Sequence, residues 1–452
     1  MILPTLPTLL ALGVFDTMTC PRFILRRCGV ISGRERIALT HVVSDAGLPA
    51  YPRVITLDEH RRRILDAVTP LPAERLPLSA ALGRALASEV RSRWPIPLFD
   101  ASAMDGYAVR QADAASGAVL RVIADVPAGA AGDPALGPGE AVRVMTGAPV
   151  PSDADAVVPL EHTDLGTAVQ KDAPAHVTVL APPVHGAHIR RAGEDRGAGE
   201  VVVDVGAALT SWQLAAIASC GYDHVLVGSA PRVAVISTGT ELVPPASTPV
   251  RGQIPESNSV LLAAAVADAG GTITGVHSVP DDPVRLRSTV QDALAASDVV
   301  ILTGGASVGA FDVVKAVLGS EYGIRFDSVS MQPGKPQGFG VHDGVLVFCL
   351  PGSPLGMAVS FEVFVRPALR ALAGHRVIDR RRMTVPASRS WRARAGKVQL
   401  LPVVFDGDRI HPATEGNGFH PISSLAVAEA LAIIPAEVDA VAEGDPVTVM
   451  LL

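Results

Sequence analysis

Small and hydroxyl-bearing residues recur in three glycine-rich segments in the second half of the chain. They are ISTGTE (236–241), LTGGASVG (302–309) and LPGSP (350–354), and each begins or follows a run of Val, Ile and Leu typical of a buried strand. Glycines let backbone N–H groups turn toward one point, where they bind an anion together with hydroxyls. The candidate donors are Thr238, Thr303, Ser307, Ser353 and the cationic Lys335. One such turn is more often structural than functional, but three in succession make a phosphate-bearing ligand an equally good interpretation.

Acidic side chains form a second group of candidates, in the first half of the chain. Their strings are PIPLFDASAMDGYAV (95–109, with Asp100 and Asp105), MTGAPVP (145–151) and RRAGEDRGAG (190–199, with Glu194 and Asp195). Taken one by one, such acids are more typical of turns and solvated surface than of catalysis. No single one of them identifies a catalytic centre.

The sequence excludes several common nucleotide and metal sites. No GxGxxG follows a predicted strand, and neither GxxxxGK[ST] nor HExxH occurs. The 12 histidines show no metal-ligand spacing. An oxidoreductase on a dinucleotide-binding sheet therefore lacks its fingerprint, and so does a P-loop enzyme.

Charge, hydropathy and cysteine usage limit the class of protein further. The 452 residues include 38 Lys and Arg against 45 Asp and Glu, a formal net charge of −7, with no basic run, so nucleic acid is not an expected partner. No apolar stretch reaches the roughly 18 residues of a membrane span, and residues 1–15 lack the basic start of a signal peptide. The cysteines, Cys20, Cys28, Cys220 and Cys349, have no CxxC spacing, which favours free thiols. We expect a cytoplasmic protein.

The candidate residues must be positioned by elements of two kinds. From about 96 to 190, short alternating runs between Gly and Pro turns predict an all-β module. From about 228, Val- and Ile-rich strands alternate with helices, which predicts a parallel sheet covered on both faces. The three glycine-rich segments then fall at the carboxyl ends of strands, where open α/β sheets bind ligands.

Further helices and strands are indicated outside these two regions. TLDEHRRRILDAV (56–68) has a polar cap and helical apolar spacing, and ALGRALASEV (81–90) predicts a second helix. In the α/β region, SVLLAAAVADAGG (259–271) predicts a helix capped by Ser257 or Asn258. The C-terminal segment returns to short alternating strands, which predict a small β-barrel.

One ordered series of strings carries a family resemblance. FDASAMDGYA, MTGAPVP, AGED, STGTEL, TGGASVG, PGKP and LPGSP occur in this order. The series resembles the molybdopterin molybdenumtransferase (MoeA) family, whose eukaryotic relative is the gephyrin E domain, over about residues 54–452. The resemblance implies a multidomain fold of α/β plus β type. Its parts would be an N-terminal extension (1–50), an elongated, helical and extended domain I (51–95 and 190–222), an inserted β-rich domain II (96–189), a MogA-like α/β molybdopterin-binding domain III with a parallel-rich sheet (223–375) and a C-terminal β-barrel domain IV (376–452).

The resemblance also implies a reaction and its partners. Adenylylated molybdopterin and molybdate would be the substrates, molybdenum would enter the dithiolene, and AMP would leave, with Mg²⁺ as cofactor. The subunits would form a homodimer whose cleft lies between the MogA-like domain of one subunit and the β module of the other. Contacts with a MogA-type adenylyltransferase and with apo-molybdoenzymes would be transient.

Residue roles follow from positions in the family's motifs. Asp105 and Glu194 would be catalytic, as ligands of Mg²⁺ or water or in proton transfer, with Thr146 as a hydroxyl partner; the full set of metal ligands is not implied. Lys335 would neutralise phosphate charge, and Asp312 would contact the ligand unless it is only a helix N-terminal acid. The substrate-binding set is Thr238, Thr303, Gly304, Gly305, Ser307, Gly309, Asp312, Lys335, Pro351, Gly352 and Ser353.

The chain departs from the family pattern in ligand-facing motifs. The departures are Thr240 where Asp is frequent, Gln332 where Lys is common, Ser353 in place of Asn, Phe419 in place of Ser, and Pro402 where an Arg is expected. They leave an alternative open, a divergent paralogue that binds molybdopterin or acts as a scaffold with reduced activity. The intact Asp105 and the three anion-binding loops favour the enzyme, because a scaffold needs neither.

Overall fold

A seven-stranded sheet forms the centre of the α/β region in the computed structural model, which describes residues 54–167, 171–305, 313–414 and 422–452. Its strands run in the order Val54–Ile55, Arg325–Val329, Pro336–His342, Val345–Leu350, Val299–Thr303, Arg232–Thr238 and Thr272–Val279. The last four strands of this order pair in parallel, whereas Pro336–His342 is antiparallel to both neighbours. The predicted parallel-rich sheet is confirmed.

Helices cover both faces of this sheet, as predicted. In the strand Arg232–Thr238, Val233 and Val235 pack into one core with the helix Asn258–Asp268, while Ala234 and Ile236 pack into another with the helix Pro283–Ala296. Because both faces are buried, the strand is apolar throughout instead of alternating. The other helices are Leu57–Asp66, Val313–Glu321, Pro354–Ser360 and Arg366–Leu372, the last two joined by a π-helical turn at Phe361–Val365.

The antiparallel strand Pro336–His342 is a feature that the sequence analysis missed. It forms a hairpin with Val345–Leu350 through the two-residue turn Asp343-Gly344. Both turn residues have positive φ, 48° and 83°, as a tight hairpin turn requires. The Asp-Gly pair was the available signal, and the glycines within the strand concealed its alternation.

The β module is a five-stranded sheet, which confirms the all-β prediction. The strands run in the order Ala156–Pro159, Gly106–Val109, Glu140–Val144, Val119–Val126 and His176–Thr178. Small apolar cores lie on its two sides, since Tyr107 and Val109 belong to one cluster and Ala108 to the other. The SAMDGYA string therefore enters an inner strand of the sheet at Gly106, and that strand, paired on both sides, positions Asp105 directly before it.

Short two-stranded pairs connect the chain on either side of the β module. They are Ala73–Pro77 with His224–Gly228, Val90–Arg91 with Val201–Val203 and Ala101–Ser102 with Ile189–Arg190, next to the helix Ser211–Ser219. The predicted helix at 81–90 is wrong. Gly83 has a φ of 77°, and Ala85 and Leu86 form β-bridges with Ala208 and Val227, so tertiary pairing overrides helix propensity.

The C-terminal strands close on themselves, as the barrel prediction requires. The sheet order is Met331–Gln332, Val398–Asp406, Ala430–Ile434, Pro446–Leu451 and Arg382–Pro386, with Arg409–Pro412 beside Val398–Asp406. A parallel bridge from Ala387 to Ile410 joins the two ends. The pair Trp391–Arg392 with Ala440–Val441 and the helix Ser423–Val427 complete the region. The prediction of free thiols holds for two buried cysteines, Cys220 at the end of the helix Ser211–Ser219 and Cys349 in the strand Val345–Leu350, while Cys20 and Cys28 lie outside the described residues.

The first described strand and helix pack with the α/β sheet, whereas the prediction placed them in a separate elongated domain. Residues 51–95 were placed in one elongated domain, but strand Val54–Ile55 pairs with Arg325–Val329, and Ile64 joins the core of the α/β sheet. The helix Leu57–Asp66 begins at its expected cap, where the Thr56 hydroxyl accepts a hydrogen bond from Glu59 N at 3.0 Å. The remaining domain boundaries stay predictions.

Removing residues 1–50 is expected to leave folding and dimerisation unchanged. The segment, which lies outside the described residues, shows no helical or strand period, and Val54–Leu452 forms a separate unit of contacts. The melting temperature and sedimentation of the chain starting at Tyr51, compared with the full chain, check this. A large fall in melting temperature for the shorter chain would show that the segment packs.

Candidate functional site

The described parts of all three glycine-rich loops lie at one edge of the α/β sheet. The strands Arg232–Thr238, Val299–Thr303 and Val345–Leu350 are adjacent and parallel, with Thr303 opposite both Ser237 and Leu350. Thr238 and Thr303, the last residues of their strands, are only 5% and 1% exposed. The structure therefore brings these two predicted residues together at the edge where ligands bind.

Asn258, which the sequence analysis treated as a possible helix cap, instead ties these loops together. Its Nδ2 donates to Thr303 Oγ1 at 2.9 Å and to the Gly352 carbonyl at 2.8 Å. Thr303 Oγ1 in turn donates to the Pro351 carbonyl at 3.0 Å. The cap position of the helix belongs to Ser257. The sequence ESNS at a helix start gave no indication of this second role.

Two buried oxygen atoms of this edge have no hydrogen-bond partner among the described residues. They are Thr238 Oγ1 and Asn258 Oδ1. A buried polar atom left unpaired costs about 1–3 kcal/mol, so such atoms call for a ligand or water. Both can accept a hydrogen bond, and the site is suited to a ligand that offers hydroxyl or amino groups.

Glycine is required where the loops approach each other. Gly304 has a φ of 95°, and a Cβ there would lie 2.3 Å from the Thr238 carbonyl oxygen. A Cβ on Gly352 would lie 3.3 Å from Gly304 Cα. Gly305 also has positive φ, 61°. Ser307, Gly309 and Asp312 lie outside the described residues, so their predicted contacts stay predictions.

The loop that carries Lys335 adjoins the loop at 350–354. A Cβ on Gly356 would lie 2.5 Å from Ser353 Oγ and 3.6 Å from Gly334 N, so the three residues are neighbours. Lys335 itself is exposed, and its carbonyl accepts from Val329 N at 2.7 Å. The backbone of Lys335 is therefore held on a loop beside the glycine-rich edge, and its exposed side chain is available to an anion.

Replacing Lys335 with alanine is expected to weaken ligand binding by about 1–3 kcal/mol, the range of a charge-assisted hydrogen bond. The melting temperature should hardly change, because the side chain is exposed. Calorimetric titration of AMP into both proteins measures the effect, with Arg75→Ala, an exposed cation on the strand Ala73–Pro77, as the control. Unchanged AMP affinity would remove Lys335 from the site.

Asp105 and Thr146 form a second, compact arrangement in the β module. Asp105 Oδ1 accepts from Thr146 N at 2.6 Å and from Thr146 Oγ1 at 2.8 Å. These backbone and side-chain hydrogen bonds outweigh burial and hold the pKa of the exposed Asp105 carboxyl below its ordinary 3.8. The carboxylate is ionised at neutral pH, with Oδ2 left without a hydrogen bond within the described chain.

Glu194 lies in a neighbouring turn that Asp100 organises. Arg191 Nη1 donates to Asp100 Oδ2 at 2.5 Å, and Ala192 N donates to Asp100 Oδ1 at 2.8 Å. Burial raises the pKa of Asp100, but these bonds outweigh it and lower that pKa overall. Glu194 Oε2 accepts from Arg191 N at 2.9 Å, and no hydrogen bond joins Glu194 to Asp105 in the described part of the chain. Asp100, one of the acidic candidates, and Arg191, which the sequence analysis missed, thus belong to the candidate site.

The departures from the family motifs have distinct surroundings. Thr240 is hydrogen-bonded to the carboxylate of Asp281. Its N and Oγ1 both donate to Asp281 Oδ2 at 3.2 Å. Gln332 and Pro402 belong to strands of the C-terminal sheet, and Pro402 is buried. Ser353 precedes the helix Pro354–Ser360 without capping it by its side chain. Phe419 lies outside the described residues.

The described residues contain neither a cluster of metal-ligating side chains nor a helix that could span a membrane. Within residues 54–167, 171–305, 313–414 and 422–452, no three His, Cys, Asp or Glu side chains gather as a metal site. Mg²⁺ often needs only one or two carboxylates with substrate phosphates, and the unpaired Oδ2 of Asp105 fits such a role. No helix among these residues has the length and apolar character to cross a membrane.

Comparison with known proteins finds similarity over most of the described chain. Three domain families match: the MoeA N-terminal region (domain I and II) at 55–221, a probable molybdopterin binding domain at 234–371 and the MoeA C-terminal region (domain IV) at 384–452. Molybdopterin molybdenumtransferase 2 of Mycobacterium tuberculosis is 38% identical over 406 residues, covering 86% of this chain and 97% of that protein. The molybdopterin molybdenumtransferase of Bacillus subtilis is 34% identical, covering 70% and 74%.

A crystal structure of the molybdopterin biosynthesis MoeA protein from Pyrococcus horikoshii OT3 superposes with a TM-score of 0.76. It is 27% identical and covers 88% of this chain and 100% of its own. Fold and site therefore define a multidomain protein of the MoeA type, with a MogA-like α/β region. The chain belongs to the molybdopterin molybdenumtransferase family, and the resemblance found in the sequence is confirmed.

Proposed function

We propose that this chain inserts molybdenum from molybdate into adenylylated molybdopterin, releasing AMP and forming Mo-molybdopterin. The observation that carries the proposal is the pair of buried, unpaired acceptors, Thr238 Oγ1 and Asn258 Oδ1, beside glycine-rich loops. The ribose hydroxyls and adenine amino group of an adenylyl unit are donors for such acceptors. The backbone N–H groups of the loops and the Lys335 ammonium suit its phosphates.

Asp105 has a role that its ionisation defines. Insertion forms two Mo–S bonds and breaks one Mo–O bond, and the two thiol protons leave with that oxide as water. A second water molecule cleaves the phosphoanhydride, which leaves the phosphate on molybdopterin and releases AMP. A carboxylate whose pKa is lowered by Thr146 is ionised at neutral pH, so it can accept a proton and then release it to a stronger base. Asp105 thus takes a thiol proton and passes it to the departing oxide, and Thr146 holds its Oδ1 so that Oδ2 faces the reaction.

Mg²⁺ and a second subunit complete the proposal. Substrate phosphates would hold Mg²⁺ directly and Asp105 would reach it through a bound water, so that Oδ2 stays able to accept a proton, and the ion would supply positive charge where two anions meet. Glu194 would act beside it from the turn that Asp100 fixes. We propose a cytoplasmic homodimer in which the β module of one subunit faces the glycine-rich loops of the other. Its transient partners would be a MogA-type adenylyltransferase and apo-molybdoenzymes.

Complementation tests the proposed function. The chain is expressed in a bacterial strain that lacks its own molybdenumtransferase, and nitrate reductase activity is measured. We expect activity to return with the natural chain and to stay absent with Asp105→Asn. Failure of the expressed, folded natural chain to restore activity would favour the alternative, a molybdopterin-binding or scaffold paralogue.

A further inference from the structure

We propose that the pocket beside Asp105 in the β module binds the pterin ring of the substrate, an inference that rests on the proposed function. The pocket has a volume of about 370 Å³, within the range of small-molecule sites. Its lining includes Asp105 and Thr146 at one side and the segment 160–167 at the other. A ligand held there lies next to the carboxylate that we place at the reaction.

One polar group that lines the pocket is the Tyr107 hydroxyl. Tyr107 and Arg143 stand opposite each other on the strands Gly106–Val109 and Glu140–Val144. Tyr107 is 2% exposed and lines the pocket, and no hydrogen bond joins its hydroxyl to another residue that the structure describes. The hydroxyl is not one of the enclosed polar atoms of the core, so a ligand in the pocket can pair with it. A heteroaromatic ring with acceptor nitrogens and a carbonyl would pair it.

The walls suit a flat ring. Met104, Met145, Leu160 and Leu165 contribute side chains to the lining. Thioether and leucine side chains adapt to the faces of an aromatic ring and gain dispersion contacts with it. A saturated, strongly hydrated ligand would gain little from these walls.

Charges around the pocket select a ligand that donates hydrogen bonds and carries no negative charge. Leu160 N donates to the Asp105 carbonyl at 3.1 Å, which brings Glu161 beside Asp105 at the mouth. The Glu161 carboxylate has no hydrogen-bond or ion-pair partner within the described residues. Arg143 is the single cation of the described lining, and its Nε donates to Asp125 Oδ1 at 2.9 Å, so its charge is already neutralised.

These features fit a pterin better than an anion. The 2-amino group and adjacent ring N–H of a pterin form a pair of donors that matches one carboxylate. Molybdate or phosphate would be repelled by the two carboxylates at the mouth. In molybdopterin the sulfurs lie on the ring fused to the pterin, at the end opposite the 2-amino group, so a pterin whose donors pair with Glu161 would extend its sulfurs away from that carboxylate.

Fluorescence titration with free 6-hydroxymethylpterin tests the inference on the full chain, with AMP titrated in parallel. We expect Glu161→Gln to weaken pterin binding about tenfold or more and Tyr107→Phe to weaken it severalfold. AMP affinity should stay unchanged in both. Leu165→Trp, which fills the pocket, should also abolish pterin binding, and it keeps the test open if one variant folds poorly. Glu437→Gln, an exposed acid in the C-terminal region, is the control.

The outcomes separate this inference from the proposed function. The pocket assignment is overturned, even if complementation succeeds, if the natural chain does not bind the pterin. It is also overturned if Glu161→Gln and Leu165→Trp bind the pterin as tightly as the natural chain does. If a substitution weakens AMP binding by the same factor as pterin binding, the assignment is overturned too, because the effect would then not be local to the pocket. Selective loss of pterin binding supports the assignment, and it does so even if complementation by the natural chain fails.

Discussion

Replacing Asp105 with asparagine is expected to lower the rate of molybdenum insertion by about 10²-fold or more while binding of adenylylated molybdopterin survives. Asparagine preserves the shape and the bonds from Thr146, but it removes the charge and the proton acceptor. Single-turnover insertion and a separate binding titration measure the two effects. Loss of binding together with insertion would make Asp105 a substrate contact, and insertion near the natural rate would make it a turn residue only.

The β module provides a matched control for this substitution. Asp133 accepts hydrogen bonds from Ser152 N at 2.9 Å and from Ser152 Oγ at 2.8 Å, as Asp105 does from Thr146. Asp133→Asn should therefore leave insertion unchanged. For the natural chain, the role of Asp105 predicts activity that is lost only as the pH falls through its lowered pKa, because the carboxylate is ionised above that value.

Patterns of apolar residues sufficed to predict the α/β core. Val233 to Ile236 are apolar without alternation because both faces of their strand are covered, and that same run is visible in the sequence. Because parallel strands end at the same edge of a sheet, the glycine and hydroxyl residues at the predicted strand ends indicated that Thr238 and Thr303 lie at a common edge.

Contacts between distant segments could not be read in this way. Asn258 is separated by 94 residues from Gly352, whose carbonyl it binds, and nothing local distinguishes it from a helix cap. Likewise, the predicted helix at 81–90 fails because Leu86 pairs with Val227, a partner far away in the chain. Asp100 was visible as an acid, but its bonds to Arg191 and Ala192 depend on how the chain that leaves the β module meets the chain that enters it.

Replacing Asn258 with aspartate is expected to weaken AMP binding by about 10²-fold, or roughly 3 kcal/mol. The Nδ2 donors to Thr303 Oγ1 and to the Gly352 carbonyl would be lost, and a carboxylate oxygen would face that carbonyl instead. The new charge would also repel the phosphate. Asn258→Ala leaves the same acceptors unpaired without adding a charge, so we expect it to weaken binding only about tenfold. Calorimetric titration of AMP compares the three proteins.

The order of the two variants decides between a ligand-binding and a space-filling role for Asn258. If the side chain only filled volume, aspartate, which has the same shape, would be tolerated and alanine would be worse. Gln253→Glu makes the same change of amide to acid on an exposed loop, where the side chain accepts from Val250 N at 3.2 Å, and it should leave AMP affinity unchanged. A larger loss in Asn258→Ala than in Asn258→Asp would contradict the role of Asn258 Oδ1 and Nδ2 in holding the loops for the adenylyl group.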